Sequence, residues 1–263
     1  MSAAIIIPVY KPGPVLLQVV SSITALTSDP VIVVDDGSGP EFEPVFQGLQ
    51  SFPSVSVLRH AVNLGKGAAL KTAMNHVLVR YPYLTGVVTT DGDGQHAPED
   101  VVRVAHKHEQ LPGSLILGSR DFQGTVPWRS RVGNELTRIL VRLLVGQRLR
   151  DTQTGLRAIP RALQQKLLLI PSQRYEFELE MLIAARHLGR PILEEPIRTI
   201  YEPRNPSSHF NPLLDSVRIY FVLFRFSVLS LLTAGVDNLI FLLAYPFTGS
   251  IGLSQLCSRA VAV

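Results

Sequence analysis

Apolar residues in the first 120 positions fall into two alternating spacings. Short β-branched runs, "AAIIIPVY", "PVIVVDDGSG", "SVSVLRH", "YLTGVVTTD" and "SLILGSR", predict strands. Between them, "GPVLLQVVSSITAL", "GKGAALKTAMNHVLVRY" and "PEDVVRVAHKHEQL" place apolar residues at helical spacing. Leu70, Met74, Val77 and Leu78 share one face, and Pro98 opens the last of these helices. Strand and helix in alternation imply an α/β fold, a mostly parallel sheet with helices on both faces. Such sheets bind ligands beyond the carboxyl ends of their strands. Four of those ends carry polar groups here: Pro8–Lys11, Asp35–Ser38, Asp91–His96 and Ser119–Asp121.

The second half has a different pattern. "SRVGNELTRILVRLLVGQ" reads as a basic amphipathic helix, and "DTQTGLRAIP" as a polar loop leading into a short strand. "RALQQKLLL" and "YEFELEMLIAARHLG" have helical spacing, and "ILEEPIRTIYEP" is β-rich. "LLDSVRIYFVLFRF" carries aromatics with Arg218 and Arg225, as an interfacial helix would. From Phe226 to Phe247 there is one acid, Asp237, and no base. A membrane span needs ~20 apolar residues, so this run reads as one. Asp237 would then face another helix or a polar cavity. A second apolar stretch starts at Ile251 and meets the end of the chain at Val263, which suggests a fragment of a longer protein. The expected division is 1–210 as catalytic domain, 211–225 as interfacial helix and 226–263 as the start of a membrane region.

Composition narrows the function. The apolar content of 46% suffices for one substantial core plus the membrane run. The single cysteine, Cys257, rules out an intrachain disulfide framework and agrees with a reducing compartment. The start, "MSAAIIIPVYKPG", lacks a basic leader and reads as a first strand. Charge is uneven: residues 1–118 carry 7 Lys+Arg against 10 Asp+Glu, and residues 119–263 carry 18 against 11. Of those 18 cations, 17 are arginine, whose planar fork suits phosphate. Nucleic acid is one partner such charge could meet, but no nucleic-acid-binding signature accompanies it, and a phosphorylated small molecule or an anionic lipid surface fits as well.

The segment "VVTTDGDGQHAPED" concentrates the acids. Asp91 and Asp93 leave a strand in a D-x-D spacing, and Gln95 adds an amide oxygen. Oxygen donors of this kind suit Mg²⁺ or Mn²⁺ held jointly with substrate phosphates. Glu99 and Asp100 are explained by the helix dipole alone, whereas Asp91 and Asp93 are not. Competing readings make Asp35 and Asp36 caps of the "DGSG" turn, Lys66 a solvated helix start and His96 a turn residue. Tyr175, Glu176, Glu178 and Glu180 offer places for a catalytic base, or a solvated helix face.

Seven ordered stretches, "IIIPVYKPG", "VIVVDDGSG", "NLGKGAALKTAM", "TTDGDGQHAPED", "LGSRDF", "RVGNELTRIL" and "DTQTGLRAIP", resemble the motifs of glycosyltransferase family 2. The nearest subgroup is the dolichyl-phosphate mannose synthase and polyprenyl-phosphate glycosyltransferase type. The likeness spans Ala4 to Phe226, and the tail resembles the beginning of a GtrA-like membrane domain. It implies a GT-A, Rossmann-like fold and transfer of a sugar from a UDP- or GDP-linked donor to a polyprenyl phosphate, with inversion. Pro8 and Tyr10 would line the base, and Asp35 and Asp36 would contact base or ribose, with Asp36 favoured. Asp91, Gly92 and Asp93 would face the donor, with Asp93 and Gln95 favoured as metal ligands. Lys66, Arg120 and Arg204 would meet donor phosphate, and Arg129, Arg131 and His209 the acceptor phosphate. His209 stands where relatives carry lysine, and Pro12 where they often carry an acid.

The implied partners are a nucleotide sugar, a polyprenyl phosphate and the lipid bilayer, with no nucleic acid; self-association into a homo-oligomer stays open. The implied place is the inner membrane, catalytic domain on the cytoplasmic side. Two rivals from other classes are a soluble sugar nucleotidyltransferase and a non-catalytic membrane module; a third is a GT-A transferase with a hydroxyl acceptor.

Overall fold

The structure, a computed structural model, describes residues 3–120, 142, 146–174, 176–198, 200 and 214–262, with backbone alone for 214–227, 229, 230, 261 and 262. Seven strands form one sheet: β1 (Ala3–Val9), β2 (Val31–Asp35), β3 (Val55–Arg59), β4 (Gly86–Thr89), β5 (Leu115–Arg120), β6 (Arg157–Pro160) and β7 (Ile192–Ile197). Their order is β3-β2-β1-β4-β6-β5-β7. All neighbours are parallel except β6, which runs antiparallel to both β4 and β5. The sheet is therefore mostly parallel, as the strand–helix alternation predicts, with one reversed strand that brings the 151–156 loop beside the end of β4.

The helices alternate with the early strands: α1 (Val15–Leu26), α2 (Glu43–Leu49), α3 (Lys66–Arg80) and α4 (Pro98–Gln110), then α5 (Arg161–Leu167) and α6 (Glu176–His187). Side chains in a strand alternate between faces. Ile5, Ile7 and Val9 of β1 accordingly pack with Leu16, Val20 and Ile23 of α1, Phe46 of α2 and Val101 and Val104 of α4. Ala4 and Ile6 point the other way, and α3 crosses β1 and β2 outside that cluster. The α2 helix and the 3-10 turn before it, Pro40–Phe42, were not expected from the periodicity, because seven residues are too few to establish a spacing. The basic helix expected within 130–147 lies mostly outside the described residues.

One buried titratable group sits beneath the sheet away from the site. His108 of α4 is fully buried, its Nε2 3.2 Å from Thr85 Oγ1 and its Nδ1 without a hydrogen-bond partner among the described residues. Burial holds its imidazole below the usual range, only partly offset by Thr85 and Glu109. The unfolded chain takes up a proton near pH 6.5 that the folded chain refuses, so stability should fall as pH drops below about 6.5. His108→Gln should flatten that fall, which thermal melts from about pH 7 to about pH 5 would reveal.

The chain divides into two compact units, Met1–Asn211 and Pro212–Val263. In the second, a single helix α7 (Leu214–Thr248) covers both the segment expected to lie at an interface and the segment expected to span. Its Leu231–Thr248 window has a mean hydropathy of 1.4 and none of it is buried. Helix α8 (Ile251–Ala262) folds back against α7. Thr248 Oγ1 and Ser254 Oγ are 2.5 Å apart, and Ser254 and Ser258 are fully buried. Asp237 is half-buried in α7, and its Oδ1 is enclosed without a hydrogen-bond partner among the described residues.

Candidate active site

The carboxyl ends of β1, β2, β4 and β5 share one edge of the sheet, because β4 and β5 are both antiparallel to β6 and β1, β2 and β4 are parallel. The four polar segments singled out in the sequence therefore meet at that edge. Pro8 pairs in register with Val34, and Tyr10 follows the end of β1. Lys11 adopts φ +51° there, its N–H donates to Ser38 Oγ at 2.8 Å, and its Nζ lies 5.4 Å from the Tyr10 ring centre.

Asp35 and Asp36 have separate duties. Asp35 Oδ1 accepts from Ser38 N at 2.9 Å, the turn-capping use expected of an Asp before Gly. Asp36 faces inward, 3% exposed. Its Oδ1 lies 2.7 Å from His60 Nδ1 and accepts from Leu64 N at 2.9 Å, and its Oδ2 accepts from Gly65 N at 2.8 Å. His60 Nε2 reaches Thr72 Oγ1 at 2.8 Å on α3. Its carboxylate thus fastens the loop that opens α3. Gly65, at φ +104°, takes a backbone conformation that a side chain would strain, and so starts α3 directly at Lys66.

Lys66 is not a solvated helix start. Its Nζ lies 2.7 Å from Asp91 Oδ1 and 2.9 Å from Glu178 Oε1, with side-chain exposures of 16%, 29% and 12% for the three. Burial alone would favour a neutral lysine, but Asp91 and Glu178 overcome it and hold the ammonium well above its ordinary range. Burial likewise opposes charge on Asp91, yet Lys66 and His96 hold its carboxyl far below the usual carboxylate range. His96 is buried, with Nε2 3.6 Å from Asp91 Oδ2 and Nδ1 lacking a hydrogen-bond partner among the described residues, so it packs against the acid loop. On the remaining side lies Gly155, where a Cβ would stand 2.3 Å from Asp91 Oδ2. Only glycine leaves room for the carboxylate.

Gly92 crosses closely over Val9, and Asp93 follows. Asp93 Oδ1 accepts from Gln95 N at 3.0 Å. Burial first, and the neighbouring Asp91 second, raise the Asp93 carboxyl above its usual value. A divalent cation would relieve that penalty. Among the described residues no three His, Cys, Asp or Glu side chains converge into a full protein cage. The donor set, Asp93 and Asp91 carboxylates with the Gln95 amide, instead suits a hard cation that keeps places for substrate oxygens.

Arg120, expected to meet phosphate, is gripped in a fork by Asp151: Nε to Oδ2 at 2.6 Å and Nη2 to Oδ1 at 3.2 Å. The pairing fixes the guanidinium plane at the end of β5. Arg157 is 1% exposed and donates to the carbonyls of Thr154, Thr152 and Glu178, tying the 151–156 loop to α6. The α6 acids are not a solvated face. Glu176 Oε1 accepts from Arg174 N at 3.2 Å, Glu178 holds Lys66, and Glu180, 6% exposed, accepts from Ser172 Oγ at 2.8 Å. The first turn of α4 is an ionic clasp, in which Asp100 Oδ2 accepts from Arg198 N at 2.7 Å and Glu99 pairs with Arg198. Arg129, Arg131, Tyr175, Arg204 and His209 lie outside the described residues.

The sheet order and the acid loop at a strand end define an α/β fold of the GT-A kind. The chain belongs to glycosyl transferase family 2, whose sequence pattern matches residues 4–168. It is similar to the UDP-N-acetylglucosamine–dolichyl-phosphate N-acetylglucosaminyltransferase of Methanococcus voltae, 31% identical over 75% of this chain and 85% of that one. It is also similar to the polyprenol monophosphomannose synthase of Mycolicibacterium smegmatis, 30% identical over 73% of this chain and 75% of the relative. Among solved structures, glucosyl-3-phosphoglycerate synthase of Mycobacterium tuberculosis, in complex with Mn²⁺, UDP and glucosyl-3-phosphoglycerate, superposes with a TM-score of 0.59. Its identity is 21%, with 88% of this chain and 78% of that one covered, a likeness of fold.

Proposed function

We propose that this protein transfers a sugar from a UDP- or GDP-linked donor to a polyprenyl phosphate, with inversion, at the cytoplasmic face of the inner membrane. The commitment of the α6 acids carries the choice of acceptor. A hydroxyl acceptor needs a general base. Of the acids placed to supply one, Glu178 and Glu180 are engaged with Lys66 and Ser172, and Glu176 holds a turn through Oε1 while its Oε2 is buried without a hydrogen-bond partner among the described residues. A phosphate acceptor is already anionic and needs no proton removed. The acceptors in the names of the Methanococcus and Mycolicibacterium relatives support the same reading.

In this reading Tyr10 and Asp35 face the nucleotide, and Arg120, fixed by Asp151, orients phosphate oxygens. Asp93 and Gln95 hold Mg²⁺ or Mn²⁺, with Asp91 beside them. Bound there, the metal supplies positive charge to the leaving diphosphate. Arg129 and Arg131 take the acceptor phosphate, with Arg204 and His209 closing the site. Preorganised positive charge of this kind is usually the largest catalytic term. The apolar, unburied Leu231–Thr248 window of α7 supports a membrane span that keeps the chain at its lipid substrate, and the tail is read as the start of a GtrA-like region.

The test is incubation with a panel of nucleotide sugars and polyprenyl phosphates, using the 263-residue chain and a chain ending at Phe224. Sugar transfer to lipid phosphate, with no transfer to hydroxyl acceptors, is expected. The shorter chain should still bind nucleotide sugar but lose most of its turnover of long-chain acceptor in liposomes. Equal turnover by both chains, together with release of the longer one from membranes by carbonate, would remove the span from the reading.

A further inference from the structure

Lys66 joins three parts of the chain that no single motif contains: the start of α3, the D-x-D loop through Asp91 and helix α6 through Glu178. Its backbone has little room to withdraw. The preceding loop is fastened by Asp36, Ala68 N donates to Gln173 O at 2.9 Å, and a Cβ on Gly67 would meet Phe177 Cβ at 2.7 Å. The first turn of α3 is thus seated on the entry to α6, and the lysine side chain spans a fixed gap between two acids. Asp91 and Glu178 thus share Lys66 as a common counter-charge, with Arg157 also in electrostatic reach of both acids.

We propose that Lys66 is a resident placeholder cation, which neutralises the Asp91 end of the D-x-D loop so that divalent metal enters together with the nucleotide diphosphate and not ahead of it. Glu178 is the positioning residue that retains Lys66. This inference rests on the metal-binding reading above. A divalent ion approaching Asp91 alone meets an ammonium already 2.7 Å from the Asp91 oxygen, and repulsion at such range is weakly screened in a part-buried site. A nucleotide diphosphate brings both oxygen ligands and the negative charge that offsets the ammonium. Metal affinity then depends on nucleotide, through a charge built into the chain.

The experiment is Mn²⁺ binding by electron paramagnetic resonance on the full chain in detergent, with and without UDP or GDP. The wild type should bind Mn²⁺ at least ~10-fold more tightly with nucleotide than without, a difference of about 1.4 kcal/mol or more. Lys66→Met should bind Mn²⁺ alone ~10-fold more tightly than wild type, and Lys66→Arg should restore the wild-type pattern. Glu178→Gln removes one of the two acids that hold Lys66 and should move Mn²⁺ affinity without nucleotide toward that of Lys66→Met. A nucleotide dependence of Mn²⁺ binding that Lys66→Met abolishes and Lys66→Arg keeps would not arise from a merely structural lysine. Unchanged Mn²⁺ affinity in Lys66→Met overturns the proposal; should that variant fail to fold, unchanged affinity in Glu178→Gln overturns it. If wild type binds Mn²⁺ with nucleotide while these variants match it, the placeholder role falls and the metal reading stands. If no variant binds Mn²⁺ under either condition, both fall.

Discussion

Asp93→Asn should lower the sugar-transfer rate by at least ~100-fold, about 2.7 kcal/mol of transition-state stabilisation. Asparagine is nearly the same size and keeps a carbonyl oxygen to accept from Gln95 N, so the turn should survive. What is lost is the negative charge that burial and Asp91 make costly without a cation beside it. Chelation by EDTA should reproduce the loss, and added Mg²⁺ or Mn²⁺ should restore the wild type but not the variant. Initial rates at saturating donor and acceptor check this. A full rate in chelator, or in Asp93→Asn, would end the metal-assisted mechanism.

Asp36→Ala should destabilise the chain by about 3–5 kcal/mol. Alanine leaves the N–H groups of Leu64 and Gly65 without the acceptor they now share and removes the partner of His60 Nδ1. Each buried donor left unsatisfied costs roughly 1–3 kcal/mol. For a unit of this size, about 2–4 °C of melting temperature per kcal/mol predicts a drop on the order of 10 °C. Thr72→Val, at the far end of the same hydrogen-bonded chain, should cost only ~1 kcal/mol, since it leaves the loop N–H groups paired. Thermal unfolding in detergent distinguishes the two. A drop under about 3 °C for Asp36→Ala would mean that its carboxylate is not the fastener of this loop.

The strands and helices of the first 120 residues were legible because period and burial coincide there: Val31 to Asp35 are all buried, and they read as a continuous β-branched run. The D-x-D loop was legible too, since residues two apart at a strand end need no long-range knowledge. What pairs with them was not. Glu178 meets Lys66 only because α3 is seated on α6, and Asp151 meets Arg120 only because β6 turns back between β4 and β5. A four-residue antiparallel strand shows no periodicity that distinguishes its direction. The inward partners of Asp36 were hidden for the same reason: in "VVDDGSG" nothing local announces the approach of His60 and the 64–65 backbone.

Gly155 and Asp91 occupy what is in effect a single volume, divided between a missing methyl group and a carboxylate. The two positions are therefore coupled in space: a side chain at 155 could enter only if the Asp91 carboxylate moved away from it. The "DTQTG" loop thus walls one side of a strand end that lies far from it in sequence.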